Sequence, residues 1–567
     1  MKPNNVRLIL LVAILMVFMT LYTKYNEMFY TPPKTQTTSE NKLNTDQKNQ
    51  PVPTEALNSP SNASTKPNLT GQTVINRNLK PVDVKTDVLS LEISPDNGDI
   101  ISAKLLDYAI SLKDKSPLSI LEDQKGHAYI AQSGVLSQSI TKPMIFSSEK
   151  SNYVLAKNQN QLNVVLTYQG NGLLVTKTYT LTKGSYDIAV KTEIKNTSSE
   201  SINARTYNRL TRSEPEKKGG FFDVHSYATY TGAVLSSTEN KYQKESFSDI
   251  SKASTTVQTD NGWVAMVEHY FLSAWIPQGT GSNLLYTQKN ANGSFSTGVV
   301  QPEVSLKSGQ TMTQQANLYV GPALKDQLEA AAPNLSYTID YGLLWFISVI
   351  IFWAMAHIYT IVGNWGLAII LVTLLIKLLF YPLSAKSFRS MAKMRLLQPK
   401  IKQLKERLGD DRQKMSQAMM ELYRKEKVNP LGGCLPILIQ IPVFIGLYWV
   451  LLESVQLRQA PFIFWIHDLS QKDPYYVLPI LMGLSMLLQQ KVNPSPPDPV
   501  QARVMMLMPV VFTVMFISFP SGLVLYWLTN NLLTVAQQLW VNHRMSKDPK
   551  FAGLKNLKKH KPKNSKK

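Results

Sequence analysis

Thr373 and Lys377 stand four residues apart in the otherwise apolar run 363–383, so a helix there carries both on one face. Gln440, Gln489–Gln490 and Thr529, Asn530 and Asn531 interrupt other apolar runs in the same way. A charge inside a membrane-length run costs roughly 2.5–3.5 kcal/mol on insertion scales, so Lys377 needs water or a polar ligand. No acid lies at comparable depth, since Glu453 falls at the outer end of its run. Hydroxyls, amides and one ammonium group can hold and orient a polar chain in an aqueous groove. They do not make a nucleophile with its base. The competing reading is that Lys377, five residues before Pro382, snorkels to the membrane boundary.

Other chemistries find little support. There is no GxxxxGK[ST] phosphate loop, and the apolar runs hold no paired carboxylates of a proton-coupled pump. Asp223, His225, Glu268 and His269 are titratable, but their spacing imposes neither a metal site nor a nucleophilic triad. No cofactor is expected, and the chain does not read as an enzyme. The single cysteine, Cys434, lies in an apolar run and reads as a small buried hydrophobe. Sequons at Asn62, Asn68, Asn196 and Asn292 matter only in a glycosylating pathway.

The charge pattern says where these groups sit. Residues 384–430 hold 13 Lys/Arg against 5 Asp/Glu, and residues 542–567 hold 10 against one, Asp548. The two stretches supply 17 of the net +21 and flank apolar runs, as cytoplasmic loops of membrane proteins do. Nucleic-acid binding, the usual alternative for a basic chain, expects a soluble basic domain instead. Lys2 and Arg7 precede an apolar stretch with no small-residue exit site, which predicts an uncleaved anchor with its N-terminus in the cytoplasm.

Six segments are apolar enough to span: about 7–23, 363–383, 432–454, 475–490, 504–519 and 521–541. A seventh, 342–362, is as hydrophobic. Were it to span as well, the basic 384–430 loop would face outward, against the positive-inside bias. Parity therefore lays 336–362 along the outer surface as an interfacial helix, with Trp345, Trp353, His357 and Tyr359 near the headgroups. The organisation expected is an anchor (1–23), a disordered linker (24–73), a β-sandwich domain (74–335), that interfacial helix, a five-span core (363–541) and a basic tail (542–567).

The outer domain reads as strands because Ile188, Val190, Thr192 and Ile194 alternate with Asp187, Ala189, Lys191 and Glu193. Lys183-Gly184 turns that run back on Leu174–Leu181, and similar runs recur at Val82–Ile93, Leu162–Tyr168, Gly262–Val267 and Asn317–Val320. Many strands and few helices predict a large antiparallel sandwich. Residues 31–73, rich in Thr, Ser, Asn, Gln and Pro and without aromatics, cannot bury a core. Residues 384–430 read as two amphipathic helices broken at Gly409-Asp410-Asp411, with Leu397, Ile401, Leu404 and Leu408 facing Met415, Met419 and Leu422. Pro436, Pro442, Pro479, Pro509 and Pro520 predict kinked spans.

Three longer motifs are specific: RLGDDRQKMSQAMMELYRKEKVNPLGGCLPILIQIPVF (407–444), FWIHDLSQKDPYYVLPILMG (464–483) and FPSGLVLYW (519–527). They closely resemble the YidC membrane-protein insertases of Gram-negative bacteria, and the likeness runs over the whole layout. The resemblance implies a mutarotase-like periplasmic β-supersandwich without known catalytic duty. It also implies a five-helix core whose groove opens to cytoplasm and lipid. In that family the position of Lys377 usually carries Arg, and that of Tyr526-Trp527 often two tyrosines. The substrate groove so implied comprises Lys377, Thr373, Gln440, Pro442, Tyr526, Trp527 and Asn530.

The function expected is a membrane protein insertase and chaperone of the bacterial inner membrane, multi-pass, with both termini cytoplasmic and the large domain periplasmic. It would work alone or with the Sec translocon. Expected partners are nascent membrane proteins, the Sec translocon, ribosomal RNA through the basic loop and tail, anionic lipids, and the signal recognition particle with its receptor. A secondary transporter or channel for a small solute is the alternative. Against it stand the absence of an internal repeat in the core and of an acid for cation coupling.

Overall fold

The computed structural model describes residues 79–547, apart from 125, 141, 216–228, 280, 409–410, 427, 429–434 and 494–498. The expected anchor and linker, most of the basic tail, Asp223, His225 and Cys434 lie outside the described residues. What is described divides into two compact units, one of strands running to Leu343 and one of helices from Leu344 onward.

In the first unit the strand Asp187–Asn196 shows why this sequence makes sheet. It pairs antiparallel with Leu173–Thr182 on one side and Thr311–Pro322 on the other, in a nine-stranded sheet. The period of two puts Ile188, Val190, Thr192 and Ile194 on the buried face. The connecting turn requires a left-handed residue, and Gly184 supplies it at φ +70°. An eleven-stranded sheet, which includes Leu89–Ile93, Ile100–Ala109, His127–Leu136 and Ile202–Arg212, supplies the other layer. One pair, Val82–Lys85 with Asn152–Val154, is parallel; the remaining described pairs are antiparallel. Asn196 is fully buried and its Nδ2 donates to the carbonyls of Glu200 and Leu306, so that sequon is closed to any modifying enzyme in the folded chain. Two short helices, α1 (Phe247–Lys252) and α2 (Lys325–Ala331), complete the unit.

The second unit is helical: α3 (Trp345–Val362), α4 (Trp365–Leu379), α5 (Tyr381–Leu408), α6 (Arg412–Lys425), α7 (Leu435–Glu453), α8 (Val477–Val492), α9 (Pro499–Phe516) and α10 (Ser521–Ser546). Gly363, at φ +64°, ends α3, and the Asn364 side chain starts α4 by accepting from the Leu367 N–H. Along α3, Ser348, Ile351 and Met355 are buried while Ile350, Trp353 and Ile361 stand out. The Ser348 hydroxyl donates to the Gly446 carbonyl of α7 at 2.9 Å. Among the described residues Gly342–Val362 is the one helix long and apolar enough to cross a membrane by itself. A second such span arises if α4 and α5, bent by 68° at their junction, count as one. Parity of charge, rather than length, is what lays α3 on the surface in the reading above.

The basic loop forms two helices, as its pattern predicts, but α5 begins at Tyr381 and belongs to two clusters. Its base packs Ala385, Phe388 and Ala392 on Val541 and Met545. Its tip packs Leu397 and Ile401 with Val428, Met394, Met415, Met419 and Leu422. The boundary expected at 541–542 falls inside α10, because Met545 still has a partner there.

Candidate functional site: a polar cavity among the helices

Five helices wall a cavity of about 270 Å³. Lys377 comes from α4; Ser384, Phe388 and Met391 from the base of α5; Gln440, Ile441 and Phe444 from α7. Met486 and Gln489 come from α8 with Asn493 at its end, and Tyr526, Trp527, Asn530, Asn531 and Thr534 from α10. Helical spacing explains the α10 contribution: Asn530 and Thr534 are one turn apart, so they fall in line. The Lys377 Nζ donates to Thr534 Oγ1 at 2.8 Å and to Gln440 Oε1 at 3.4 Å. Gln440 Nε2 donates in turn to Asn530 Oδ1, and Thr534 Oγ1 donates to the Asn530 carbonyl at 2.6 Å. Asn531 turns to α8, where its Nδ2 donates to Ser485 Oγ at 3.1 Å.

None of the lining residues is acidic, so the ammonium is solvated by neutral acceptors alone. Such a cation keeps its attraction for an incoming negative or strongly accepting group. One turn along the same two helices, α7 and α10, the lining becomes aromatic: Phe444 meets Trp527 edge-on at 4.6 Å and Tyr526 at 6.0 Å. The cavity thus presents both polar and apolar side chains. It offers no nucleophile–base pair, and among the described residues no cluster of His, Cys, Asp and Glu could hold a metal.

Of the seven residues expected in a groove, Lys377, Gln440, Tyr526, Trp527 and Asn530 line this cavity. Thr373 and Pro442 do not. Thr373 is buried, and its Oγ1 donates to the Ile369 carbonyl at 2.6 Å, one turn back on its own helix. A shared helix face was a sound inference, but a helical hydroxyl can satisfy itself on its own backbone. Thr534, which holds Lys377 most closely, was missed. Its spacing of four from Asn530 was the available signal.

The strand unit contains a fully buried lysine that sequence reading passed over. The Lys177 Nζ donates to the carbonyls of Asn97 at 2.5 Å and Ser133 at 2.6 Å, and to Ser133 Oγ at 2.9 Å. Asp99, also buried, accepts from Gln132 Nε2 at 2.8 Å and from the Ser133 N–H at 3.2 Å. Burial pushes the Asp99 carboxyl up to about 6, against the pull of Lys177, and pushes Lys177 down to about 8, against the pull of Asp99. Of the titratable candidates read from sequence, Glu268 accepts from Arg212 Nη2 at 2.6 Å and His269 stacks on Tyr270. Both are engaged in the packing of the sheet.

Two family models match the chain. One, described as the YidC periplasmic domain, covers residues 81–354; the other, described as a 60Kd inner membrane protein, covers residues 357–548. A membrane protein insertase YidC of Francisella tularensis subsp. novicida is 49% identical over 550 residues, 95% of this chain and 98% of its own. One from Nitrosococcus oceani is 45% identical over 555 residues, 96% of this chain and 100% of its own. A crystal structure of an active YidC insertase with its first transmembrane domain resolved aligns at 19% identity with a TM-score of 0.36. It covers 81% of this chain and 92% of that one.

Proposed function

The chain belongs to the YidC family of membrane protein insertases, and from that premise we propose that it passes hydrophobic segments from cytoplasm to lipid along the cavity between α4, α7 and α10. As a member of that family it is an inner-membrane protein with a periplasmic β-sandwich domain and a helical insertase region. The single observation that carries the route is Lys377, held by Thr534 and Gln440 in a cavity with no acid in its wall.

A short polar tail of the substrate meets Lys377, Gln440 and Asn530 in place of water, so it enters the membrane without losing all its hydrogen bonds. Phe444, Trp527 and Met486 receive the apolar segment, whose burial in lipid supplies tenths of a kcal/mol per residue. No bond is made or broken, and we read the chain as non-enzymatic. The reading assigns six spans with both termini in the cytoplasm, so that both basic stretches face the ribosome. Ribosomal RNA, anionic lipid, the Sec translocon and the signal recognition particle with its receptor are the partners this reading assigns. Thr373 and Pro442 stay in the proposal as residues of the substrate path beyond this cavity's lining.

The test is insertion into proteoliposomes containing this protein alone. Small single-span substrates with acidic tails insert above the level of empty liposomes; equal insertion into both overturns the reading. For the ribosome, truncation after Lys547 removes the basic end yet leaves Met545 on the base of α5. Ribosome affinity then falls, and its salt dependence flattens as fewer counter-ions are released.

A further inference from the structure

Between α7 and α8 the chain makes a crossover, residues 454–476, that is rigid and yet displays large apolar side chains. Phe464 is 80% exposed and Tyr475 68%, with Ile463 beside them at 46%. Phe464 and Tyr476 also sit at φ +54° and +58°, a region that bulky residues avoid. Strain of this kind costs on the order of 1–3 kcal/mol and persists only where the surroundings enforce it.

The surroundings do enforce it. Asp473, buried, accepts from Trp465 Nε1 at 3.0 Å, from the Tyr475 N–H at 3.0 Å and from the Leu478 N–H at 2.7 Å. The Phe462 N–H donates to the Ile466 carbonyl, and the Leu469 N–H to the Ala460 carbonyl. Neighbouring helix ends are tied in: Asn364 Nδ2 donates to the Phe462 carbonyl at 3.0 Å, and the Ser521 N–H to the Gln471 carbonyl at 2.7 Å. At Gly366 a Cβ would stand 2.1 Å from the Phe462 ring, so α4 admits no side chain there. Asp468 and Asp473 are both buried, which leaves Lys472, three residues before Tyr475, as an exposed charge of the crossover.

From this geometry we propose that the crossover is a preformed plate that seats Ile463, Phe464 and Tyr475 in the headgroup–acyl boundary of the outer leaflet, with Lys472 at the lipid phosphates. Lipid is the occupant because the patch continues into the exposed apolar side of α8, through Ile480, Leu481, Leu484 and Leu488. Its exposed cation also complements phosphate, and aromatic rings favour this depth. Seated so, the plate fixes the outer ends of α4, α7, α8 and α10 at one level. The inference rests on the membrane reading above only for which leaflet is meant.

The test uses the full chain in vesicles of phosphatidylethanolamine and phosphatidylglycerol, with Cys434→Ser removing the native thiol. An environment-sensitive fluorophore is attached at Phe464→Cys, separately at Tyr475→Cys, and at Lys113→Cys on the exposed surface of the strand unit. The first two probes are protected from iodide, and spin labels near the lipid headgroup quench them severalfold more than labels deep in the acyl chain. The Lys113 probe shows the reverse accessibility. Iodide quenching equal to that at Lys113 overturns the proposal, and so does protection from iodide without lipid quenching, which would mean a covering protein. Labelling of Gln471→Cys by an impermeant reagent reports sidedness independently. Access from the cytoplasm alone overturns the assigned leaflet and the membrane reading, while lipid quenching still decides the seating.

Discussion

Lys177 ends between two β-sheets on two backbone carbonyls and a serine hydroxyl, with the buried Asp99 carboxylate nearby. Lys377 ends in a cavity on one threonine and one glutamine, with no acid in the wall. Lys177 is fully buried and Lys377 half-buried, and the two differ in what meets the ammonium group. Fixed dipoles and a carboxylate make the first a cross-link between the nine- and eleven-stranded sheets, since a fully satisfied polar network specifies one packing. Neutral and sparse acceptors leave the second able to bind something else. The same residue type thus ties two sheets together in one unit and lines a cavity in the other, where we propose it acts as a receptor.

Removing the cross-link should have the largest effect. Lys177→Met leaves the Asn97 and Ser133 carbonyls buried without their donor and takes from Asp99 its strongest opposing charge, and loss of one partner of a buried charge pair costs roughly 3–5 kcal/mol. Thermal unfolding of the strand unit in the full chain shifts down accordingly, while insertion per folded molecule is unchanged. A loss of insertion at unchanged stability would erase the contrast.

Next comes pH. Asp99 moves from its ordinary 3.8 up to about 6, so between those values the folded chain keeps a proton that the unfolded chain has released. Stability therefore falls as pH rises through that window. Lys177 moves from 10.5 down to about 8, so between 8 and 10.5 the unfolded chain holds the extra proton and stability rises with pH. Each limb is worth up to about 3 kcal/mol at a rate of 1.36 per unit. Denaturant unfolding of the strand unit shows a minimum between pH 6 and 8, and Asp99→Asn removes the acid limb. A flat profile would show that the pair is not sealed.

For the receptor the effect appears in rate. Lys377→Met slows insertion of acidic-tailed substrates about tenfold, equivalent to 1.4 kcal/mol of barrier, and neutral-tailed ones far less. Lys377→Arg retains the preference. Equal slowing of both substrate classes would make Lys377 a structural group like Lys177. Thr534→Val is the mildest: it takes from Lys377 one of two acceptors, worth about 1 kcal/mol, together with the hydroxyl's own bond to the Asn530 carbonyl, and lowers acidic-tail insertion severalfold, and Thr534→Ser restores it.

How much of this was legible in the sequence differs between the two lysines. Lys377 announces itself, since a charge in an apolar run has no ordinary explanation. Lys177 does not, because lysines are common on strands. Only parity with Leu173, Val175, Tyr179 and Leu181 places it inward, and all of these are buried. The strand runs were readable from their alternation, and the helical hairpin from its Leu and Met spacing. Which hydroxyl serves the cavity was not. Thr373 and Thr534 are equally plausible by type, and only tertiary packing decides that one bonds its own helix and the other the lysine. The membrane placement of α3 was argued from charge alone, because its length permits either answer.

The helix α5 holds one more lesson. Its two clusters share no residue, and Pro399 removes the backbone bond that would reach Arg395, which lies between Ala392 and Leu397. Mechanically this is a beam pinned at two places, with its missing backbone bond inside the outer one, where Met394 packs and the Arg395 Nη1 donates to the Val492 carbonyl at 3.5 Å. Phe388 belongs to the inner pin and to the cavity wall, so the hairpin and the wall beside Lys377 rest on separate contacts.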